Sequence, residues 1–338
     1  MSLYAFLRPM LFGLAPEAAH ELTLKTLAKM PNLAPSCAYQ EPVALMGLTF
    51  PNRLGLAAGL DKNALAIPAF ARMGFGFIEV GTITPRAQPG NPKPRLFRLP
   101  EQEAIINRMG FNNEGAERVC QRVAKARAQL KGTLIGINLG KNKDTPNEQA
   151  LKDYRSAMDI AYAHADYLTI NLSSPNTQGL RELQHGAALK QLLKGLKKAQ
   201  TENAQKHSKY VPLVVKLSPD NTMNELDLTL VSLAAAQVDG IIATNTTIDK
   251  TAVSDHRYGN EQGGLSGKPL TEKTTNIIKH IRDRLPNMPL IASGGVMTAN
   301  DYQAKLTAGA DLVQLYTGLI YQGPRLIQDC FQSTMQKL

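Results

Sequence analysis

Tryptophan is absent from the 338 residues, and cysteine occurs only three times. Cys37, Cys120 and Cys330 are far apart and have no metal-ligand spacing, which predicts free thiols in a reducing compartment and neither a disulfide nor a zinc site. No uncharged apolar stretch of about 18 residues occurs, so a bilayer-spanning helix is not expected. No zinc-finger or RNP-type signature occurs, and Lys and Arg are spread along the chain, so nucleic acid is not an expected partner.

The composition is that of an ordinary globular protein, with 43% hydrophobic and 20% charged residues. A sizeable core is therefore available, arranged as one large domain or two smaller ones. The formal net charge is +10. This excess is compatible with a solubilising surface, with an anionic ligand or with an anionic membrane surface.

After residue 50, short apolar runs alternate with helical stretches. The predicted strands are Leu54–Ala58, Phe77–Thr82, Thr133–Leu139, Tyr167–Leu172, Leu213–Leu217, Gly240–Thr244, Pro289–Ser293 and Leu312–Tyr316. Eight strands alternating with helices predict an α/β protein with a closed (β/α)8 TIM barrel. The longest interruption, from Thr84 to about Gly115, is too long for a plain loop and predicts a functional insertion.

Residues 1 to about 40 lie outside this barrel pattern and predict a helical hairpin. Gly13 can end a first helix, Pro16 suits the first turn of a second, and Pro31 stops the second. The apolar start of the chain is broken by Arg8 and Pro9 and lacks a cleavage site, so a signal peptide is not expected. The first helix carries Leu3, Leu7, Leu11 and Leu14 on one face, and the second carries His20, Leu24 and Leu27. The pair is expected either to pack on the barrel or to lie at a membrane surface.

Polar side chains follow several predicted strands at their carboxyl ends. Asn138 ends one strand, Asn171 to Thr177 end another, and Thr244 to Thr246 end a third. In a parallel barrel these ends meet on one face, so the pattern predicts a site for a small polar ligand. Glycine-rich turns follow the last three strands at 263–269, 293–296 and 316–318, a position that favours a phosphate site over plain turns.

Lys216 and Ser174 stand out as candidates for chemistry. Lys216 lies inside the apolar strand Val214-Val215-Lys216-Leu217, and a buried ammonium needs an anionic partner or hydrogen-bond acceptors. Ser174 lacks the Gly-x-Ser-x-Gly elbow of a hydrolase, so it is either a loop-capping hydroxyl or a proton acceptor working beside an electron sink such as a flavin.

Long motifs in this chain resemble those of the dihydroorotate dehydrogenase family. They are Ala58-Gly59-Leu60-Asp61-Lys62, Glu79-Val80-Gly81-Thr82, Pro89-Gly90-Asn91-Pro92-Lys93-Pro94-Arg95, Asn107-Arg108-Met109-Gly110-Phe111-Asn112, Asn171-Leu172-Ser173-Ser174-Pro175-Asn176-Thr177 and Ala243-Thr244-Asn245-Thr246-Thr247. The quinone-reducing, membrane-associated class of this family has a serine base and an N-terminal helical extension, whereas the soluble class has a cysteine base and no extension. Ser174 and the hairpin give this chain its resemblance to the quinone class.

The resemblance implies an FMN site, a substrate site and a quinone site. The implied FMN contacts are Ala58, Gly59, Leu60, Asp61, Lys62, Thr82, Asn138, Asn171, Lys216, Thr244, Gly267, Gly295, Tyr316 and Thr317. The implied substrate contacts are Lys62, Asn107, Arg108, Met109, Gly110, Phe111, Asn171, Asn176, Asn245 and Thr246. The implied quinone contacts are His20, Arg98 and Tyr316.

The implied activity is the oxidation of (S)-dihydroorotate to orotate in pyrimidine synthesis, with electrons passing to a membrane quinone. Ser174 would remove the C5 proton with Thr177 in its relay, hydride would move from C6 to flavin N5, and Lys62 and Lys216 would balance charge. Residues 1–40 would form the membrane and quinone unit and 41–338 the barrel, placed peripherally on the cytoplasmic side of the cell membrane, as a monomer or a homodimer. Two rivals stay open: a soluble flavoprotein that uses fumarate or a nicotinamide, and a non-catalytic phosphate-ligand-binding barrel.

Overall fold

The computed structural model describes residues 3–177 and 179–335, without the side chain of Leu3. The strands in this part of the chain are β1 Val43–Leu45, β2 Leu48–Phe50, β3 Leu54–Leu56, β4 Phe77–Ile83, β5 Leu96–Leu99, β6 Ala104–Asn107, β7 Leu134–Leu139, β8 Tyr167–Asn171, β9 Leu213–Leu217, β10 Gly240–Ala243, β11 Gly264–Gly267, β12 Leu290–Ser293 and β13 Leu312–Leu315. The α-helices are α1 Leu3–Gly13, α2 Pro16–Lys29, α3 Ile67–Arg72, α4 Ala116–Arg127, α5 Ala150–Ala161, α6 Gly186–His207, α7 Met223–Ala235, α8 Thr271–Arg284, α9 Ala299–Thr307, α10 Thr317–Gln322 and α11 Arg325–Met335.

Eight parallel strands in the described residues close into a barrel in the order β3, β4, β7, β8, β9, β10, β12, β13. Each corresponds to one of the eight predicted apolar runs, so the predicted (β/α)8 TIM barrel is confirmed. Most strands are buried along their whole length because helices cover the outer face while side chains fill the interior.

Aromatic rings fill the amino-terminal end of the barrel interior. Phe77 and Tyr167 fit there because strand neighbours are glycines: a Cβ on Gly55 would meet the Phe77 ring at 2.3 Å, and one on Gly136 would meet the Tyr167 ring at 2.2 Å. The β1–β2 hairpin closes this end with Phe50, whose ring lies edge-on to Phe77 at 5.4 Å. This plug leaves the opposite, carboxyl end of the barrel as the open one.

The long interruption after β4 is an antiparallel hairpin, β5–β6, extended by β11 into a three-stranded sheet. Its residues Asn107, Met109 and Phe111 line the cavity described below, alongside side chains from the barrel strand ends. The insertion therefore adds one wall to the carboxyl face of the barrel, in agreement with the expectation that it is more than a loop.

The N-terminal helices begin and end at the predicted signals, Gly13, Pro16 and Pro31. Leu24 of α2 is buried in the main core, which anchors that helix on the barrel. A second anchor is the nearly buried ion pair between Arg95 Nη2 of the insertion and Glu17 Oε1, at 2.8 Å.

The first helix is held along one side only. Arg8 Nη1 donates to the Tyr321 carbonyl at 2.7 Å, and the Phe12 ring packs edge-on against Tyr321 at 5.5 Å. The opposite side leaves large apolar side chains exposed, namely Phe6, Leu7, Met10 and Leu14. Across the described residues, every helix is too short or too polar to cross a bilayer.

Candidate active site

A cavity of about 960 Å³, open to solvent, lies at the carboxyl ends of the barrel strands. Most residues predicted for the site line it: Ala58, Gly59, Lys62, Thr82, Asn107, Met109, Gly110, Phe111, Asn171, Ser174, Asn176, Lys216, Thr244, Asn245, Thr246, Gly267, Gly295, Tyr316 and Thr317. Their convergence follows from the fold, because parallel strands bring all their carboxyl ends to one face.

Four of the remaining predicted residues, Leu60, Asp61, Arg108 and Thr177, do not line the cavity. Leu60 belongs to the hydrophobic core, and buried Asp61 accepts hydrogen bonds from the backbone N–H groups of Leu65 and Ala66 at 2.8 and 2.7 Å. Arg108 Nη1 pairs with Glu261 Oε2 at 2.5 Å. Thr177 is buried close to Ser174 in sequence but does not line the cavity.

Amide side chains form a continuous hydrogen-bonded network across the cavity floor. Asn171 Nδ2 donates to Thr82 Oγ1 at 3.0 Å and to Asn138 Oδ1 at 3.2 Å. Asn245 Nδ2 in turn donates to Asn171 Oδ1 at 3.3 Å. Asn138 therefore lies one step below the cavity wall and acts through Asn171. Side chains fixed in this way present a set pattern of donors and acceptors to a planar polar ligand.

Ser174 is buried and lies on the loop that follows β8. Its neighbour Asn176 donates from Nδ2 to Asn107 Oδ1 at 3.2 Å, which ties the serine loop to the insertion. The Asn176 Oδ1 atom is buried without a hydrogen-bond partner in the described part of the chain. An unpaired buried carbonyl oxygen on a cavity wall is a ready acceptor for a ligand N–H group.

Lys216 projects from β9 into the same cavity and is buried. Within residues 3–177 and 179–335 its ammonium group makes no hydrogen bond or ion pair. Burial lowers the pKa of Lys216, while the negative charge of Glu79 acts in the opposite direction. A buried ammonium without a partner is costly, so an anionic or electron-rich ligand would stabilise it.

Lys62 is the second cation of the cavity and is half-buried. Its Nζ donates to the Gly59 carbonyl at 2.9 Å. Burial and then the charge of Arg95 lower the pKa of Lys62 to about 8, against the opposing effect of Glu17 and Asp61. Lys62 is therefore poised to bind an anion such as a carboxylate near neutral pH.

Glycine turns after the last strands form the far end of the cavity. The turns after β12 and β13 adjoin because these strands pair, and Gly294, Gly295, Thr317 and Gly318 all line the cavity. Thr271 Oγ1 donates to the Gly295 carbonyl at 2.8 Å and fixes the first turn. A Cβ on Gly295 would meet Thr271 backbone atoms at 2.4 Å, so the backbone there has room only for glycine.

The three residues predicted for quinone binding lie on different elements: His20 in α2, Arg98 in β5 of the insertion and Tyr316 directly after β13. Arg98 Nη1 donates to the Leu11 carbonyl at 3.1 Å, and its guanidinium lies over the Phe12 ring at 4.5 Å. Burial and the charge of Lys62 lower the pKa of His20 to about 4, which keeps this imidazole neutral. Only Tyr316 of the three lines the cavity, and its hydroxyl donates to the Gly59 carbonyl at 3.4 Å.

Two polar residues at the bottom of the cavity were not predicted from the sequence: one lines the cavity and the other lies beneath it. Gln314 of β13 lines the cavity, and the Glu79 carboxylate of β4 is fully buried beneath it. Both occupy inward positions of apolar strands, which is the same signal that identified Lys216. Other lining residues that were not predicted are Ala57, Leu270 and Met297. The glycine-rich turns predicted as a phosphate site contribute Ser266, Ser293, Gly294, Val296 and Gly318 to the lining.

Fold and cavity together define a (β/α)8-barrel enzyme whose site, at the carboxyl face of the barrel, is lined by polar side chains and two lysines. Residues 42–338 match the family model of dihydroorotate dehydrogenase. The chain is 63% identical to the dihydroorotate dehydrogenase (quinone) of Dichelobacter nodosus over 332 residues, covering 98% of each protein. It is 51% identical to the enzyme of the same name from Saccharophagus degradans, covering 97% of each.

The chain is also similar to a solved dihydroorotate dehydrogenase structure. The crystal structure of DHODH from Eimeria tenella in complex with ferulenol has a TM-score of 0.88 and 37% identity, covering 96% of this chain and 94% of that one. The chain belongs to the dihydroorotate dehydrogenase family, as its motifs predicted.

Proposed function

We propose that this enzyme oxidises (S)-dihydroorotate to orotate with bound FMN and passes the electrons to a membrane quinone. The observation that carries the proposal is the buried, unpartnered Lys216 ammonium, which, among the described residues, faces a cavity lined by Ser174 and amide side chains. The two curated relatives described above, both named as quinone-dependent, support the choice of electron acceptor.

The residues present fit an FMN group. Gln314 lines the cavity, and its Oε1 is buried without a partner in the described chain, so this oxygen would accept a hydrogen bond from a ring N–H group. Lys216 offers a positive charge for an electron-rich ring, and the glycine turns at 294–295 and 317–318 offer backbone room for a phosphate. When bound, FMN would accept the hydride from substrate C6 at its N5 atom.

Ser174 would act as the base that removes the substrate C5 proton. A serine hydroxyl is a weak base, so its effect depends on holding it in a dry site beside the reacting carbon and on handing the proton onward. Burial of Ser174 limits the contact of its hydroxyl with water, and Thr177, three residues along the same loop, would take part in the relay.

Substrate orientation would come from the amide network. Asn107, Asn171, Asn176 and Asn245 offer both donors and acceptors, which suits the alternating N–H and C=O groups of a pyrimidine ring. Lys62 would bind the substrate carboxylate, and the network of hydrogen bonds would hold the ring in the plane required for hydride transfer.

Residues 1–40 would form the unit that meets the membrane and admits the quinone, with 41–338 as the catalytic barrel. Supporting this division, Phe6, Leu7 and Met10 of α1 and the adjoining Leu14 are exposed. Arg98 of the insertion also donates a hydrogen bond to the Leu11 carbonyl of the same helix. The enzyme would sit peripherally on the cytoplasmic side of the cell membrane, attracted by its positive charge to anionic lipid.

One anaerobic titration tests this function. The purified protein should be yellow, and stoichiometric dihydroorotate should bleach it; a long-chain quinone should then restore the colour faster than fumarate or a nicotinamide. Recovery by fumarate alone would favour a soluble-type flavoprotein. A protein that neither carries nor takes up FMN would favour a non-catalytic ligand-binding barrel.

A further inference from the structure

Glu79 is a fully buried carboxylate in the middle of the barrel. It accepts hydrogen bonds from Asn138 Nδ2 at 2.7 Å, Tyr167 Oη at 3.0 Å and Gln314 Nε2 at 2.8 Å. All three donors are neutral, and no lysine or arginine forms an ion pair with Glu79 in the described ranges. A buried negative charge held only by neutral donors is costly to keep, so a functional reason for it is expected.

The Glu79 carboxylate determines the orientation of two side-chain amides, those of Gln314 and Asn138. Because an ionised carboxylate only accepts hydrogen bonds, Gln314 must point its Nε2 at Glu79, which leaves its Oε1 without a partner among the described residues. Asn138 must likewise turn Nδ2 to Glu79, and its Oδ1 then accepts from Thr82 Oγ1 at 2.5 Å and from Asn171 Nδ2 at 3.2 Å. The polarity set at Glu79 thus extends to Asn171, and from Asn171 Oδ1 to Asn245.

The same carboxylate acts on the cation of the cavity floor. Lys216 projects from β9 into the interior that Glu79 enters from β4, and the negative charge of Glu79 raises the pKa of Lys216 against the effect of burial. Glu79 therefore supports the charged form of the ammonium, while its own charge partly offsets the positive field that Lys216 directs into the cavity.

We propose that Glu79 is a positioning residue that sets both the hydrogen-bond polarity and the net charge of the floor on which the flavin ring would lie. This inference rests on the proposed function, because it assumes that FMN occupies the cavity. A negative charge under the ring disfavours the reduced, electron-rich flavin relative to the oxidised one. Glu79 would thereby lower the reduction potential of the flavin, which favours electron transfer from the reduced flavin to the quinone.

The test is the midpoint potential of bound FMN in Glu79→Gln holoenzyme, measured by anaerobic equilibration with reference dyes. Removing the charge should increase the ratio of the affinities for reduced and oxidised FMN by about tenfold. For a two-electron couple this raises the midpoint potential by about 30 mV. The matched control is Tyr167→Phe, which deletes one hydrogen bond to the same carboxylate and keeps its charge. Its potential should equal that of the wild type.

A second readout concerns polarity. In the Glu79→Gln variant the introduced amide could donate as well as accept, so the amides of Asn138 and Gln314 would lose their fixed direction, and the Kd for orotate should rise severalfold. Should Glu79→Gln fail to fold, the exchange Glu79→Gln with Gln314→Glu keeps one carboxylate and one amide in contact. Because its charge is unchanged, its potential should lie at or below the wild-type value.

Each outcome decides a different point. Three results would overturn the role of Glu79 and leave the proposed function intact. The first is a yellow Glu79→Gln protein whose FMN midpoint potential equals that of the wild type. The others are a midpoint potential that rises equally in Tyr167→Phe, or one that rises in the exchanged pair. A wild-type protein that takes up no FMN would overturn both.

Discussion

The Ser174 hydroxyl oxygen accepts a hydrogen bond from the backbone N–H of Asn176 at 3.2 Å. The contact fixes the oxygen without using the hydroxyl proton, which stays available for exchange with a ligand. Ser174 also lies in the loop joined to the insertion through Asn176 and Asn107, so the serine and the cavity-lining amides are held by one set of contacts.

Ser174→Ala should keep FMN and lose most of its reduction by dihydroorotate. In the proposed function the serine acts on the substrate and not on the cofactor, and general-base catalysis typically contributes about 10² to 10⁴ in rate. Anaerobic stopped-flow of flavin bleaching measures the loss, with the exposed Ser254→Ala as control. Reduction of the Ser174 variant at the control rate would remove the residue from its assigned role.

Two lysine variants should distinguish a role in FMN binding from a role in substrate binding: Lys216→Ala and Lys62→Ala. Lys216 is buried without a partner in the described chain. In the proposed function its loss would leave an electron-rich flavin without a cation in a site of low dielectric constant. That variant should lose FMN on gel filtration and reduce slowly. Lys62→Ala should keep FMN and chiefly raise the KM for dihydroorotate. Full FMN occupancy and normal reduction in Lys216→Ala would contradict the buried-lysine argument.

Orotate affinity should fall as the pH rises through about 8, where the free enzyme loses the charge on Lys62. The sign follows from the direction of the shift: burial lowers this pKa, so the ammonium is charged below about 8 and neutral above it. Flavin spectral titrations with orotate from acidic to alkaline pH measure the effect. Lys62→Arg, which stays charged, should show no such fall.

Gly295→Ala should weaken FMN binding, because Gly295 lies in one of the turns proposed to hold the phosphate. Gly295 has a φ of +70°, and an added Cβ would meet Thr271 Cα at 2.4 Å, so the turn must move. Gly132→Ala is the matched control, because its φ is +89° but the nearest atom to an added Cβ is 3.9 Å away. Both variants bear the strain of a left-handed alanine, roughly 1–2 kcal/mol, and only Gly295→Ala should release FMN on dialysis.

The barrel could be predicted because each of its strands is a short apolar run between helices, as in Leu213–Leu217. The capping hairpin Val43–Leu45 and Leu48–Phe50 was not predicted, because two three-residue strands give too little alternation to recognise. Glu79 was missed as a site residue even though it interrupts an apolar strand as Lys216 does. Which buried polar residue faces the ligand, and which supports it from below, depends on barrel depth, and a linear sequence does not encode depth directly.

The role of the hairpin can be tested by truncation. Deletion of residues 1–38 should spare flavin reduction by dihydroorotate, abolish efficient turnover of long-chain quinones and weaken binding to anionic vesicles, where each basic residue near the surface contributes about 1 kcal/mol. The deletion also removes Glu17 and leaves Arg95 with only the Pro89 and Asn91 carbonyls as acceptors among the described residues, so some loss of thermal stability is expected. Loss of both half-reactions would show that the hairpin is part of the catalytic fold.

A surface variant separates membrane contact from folding. Phe6→Glu with Met10→Glu changes only exposed side chains of α1, so it should retain flavin reduction and stability while losing vesicle binding and long-chain quinone turnover. The matched control is Leu228→Glu with Val231→Glu, which makes the same charge change on exposed apolar positions of α7. The apolar face of α1 acts in membrane docking if only the α1 variant loses vesicle binding. Equal vesicle binding and quinone turnover in the two variants would show that the hairpin serves packing alone.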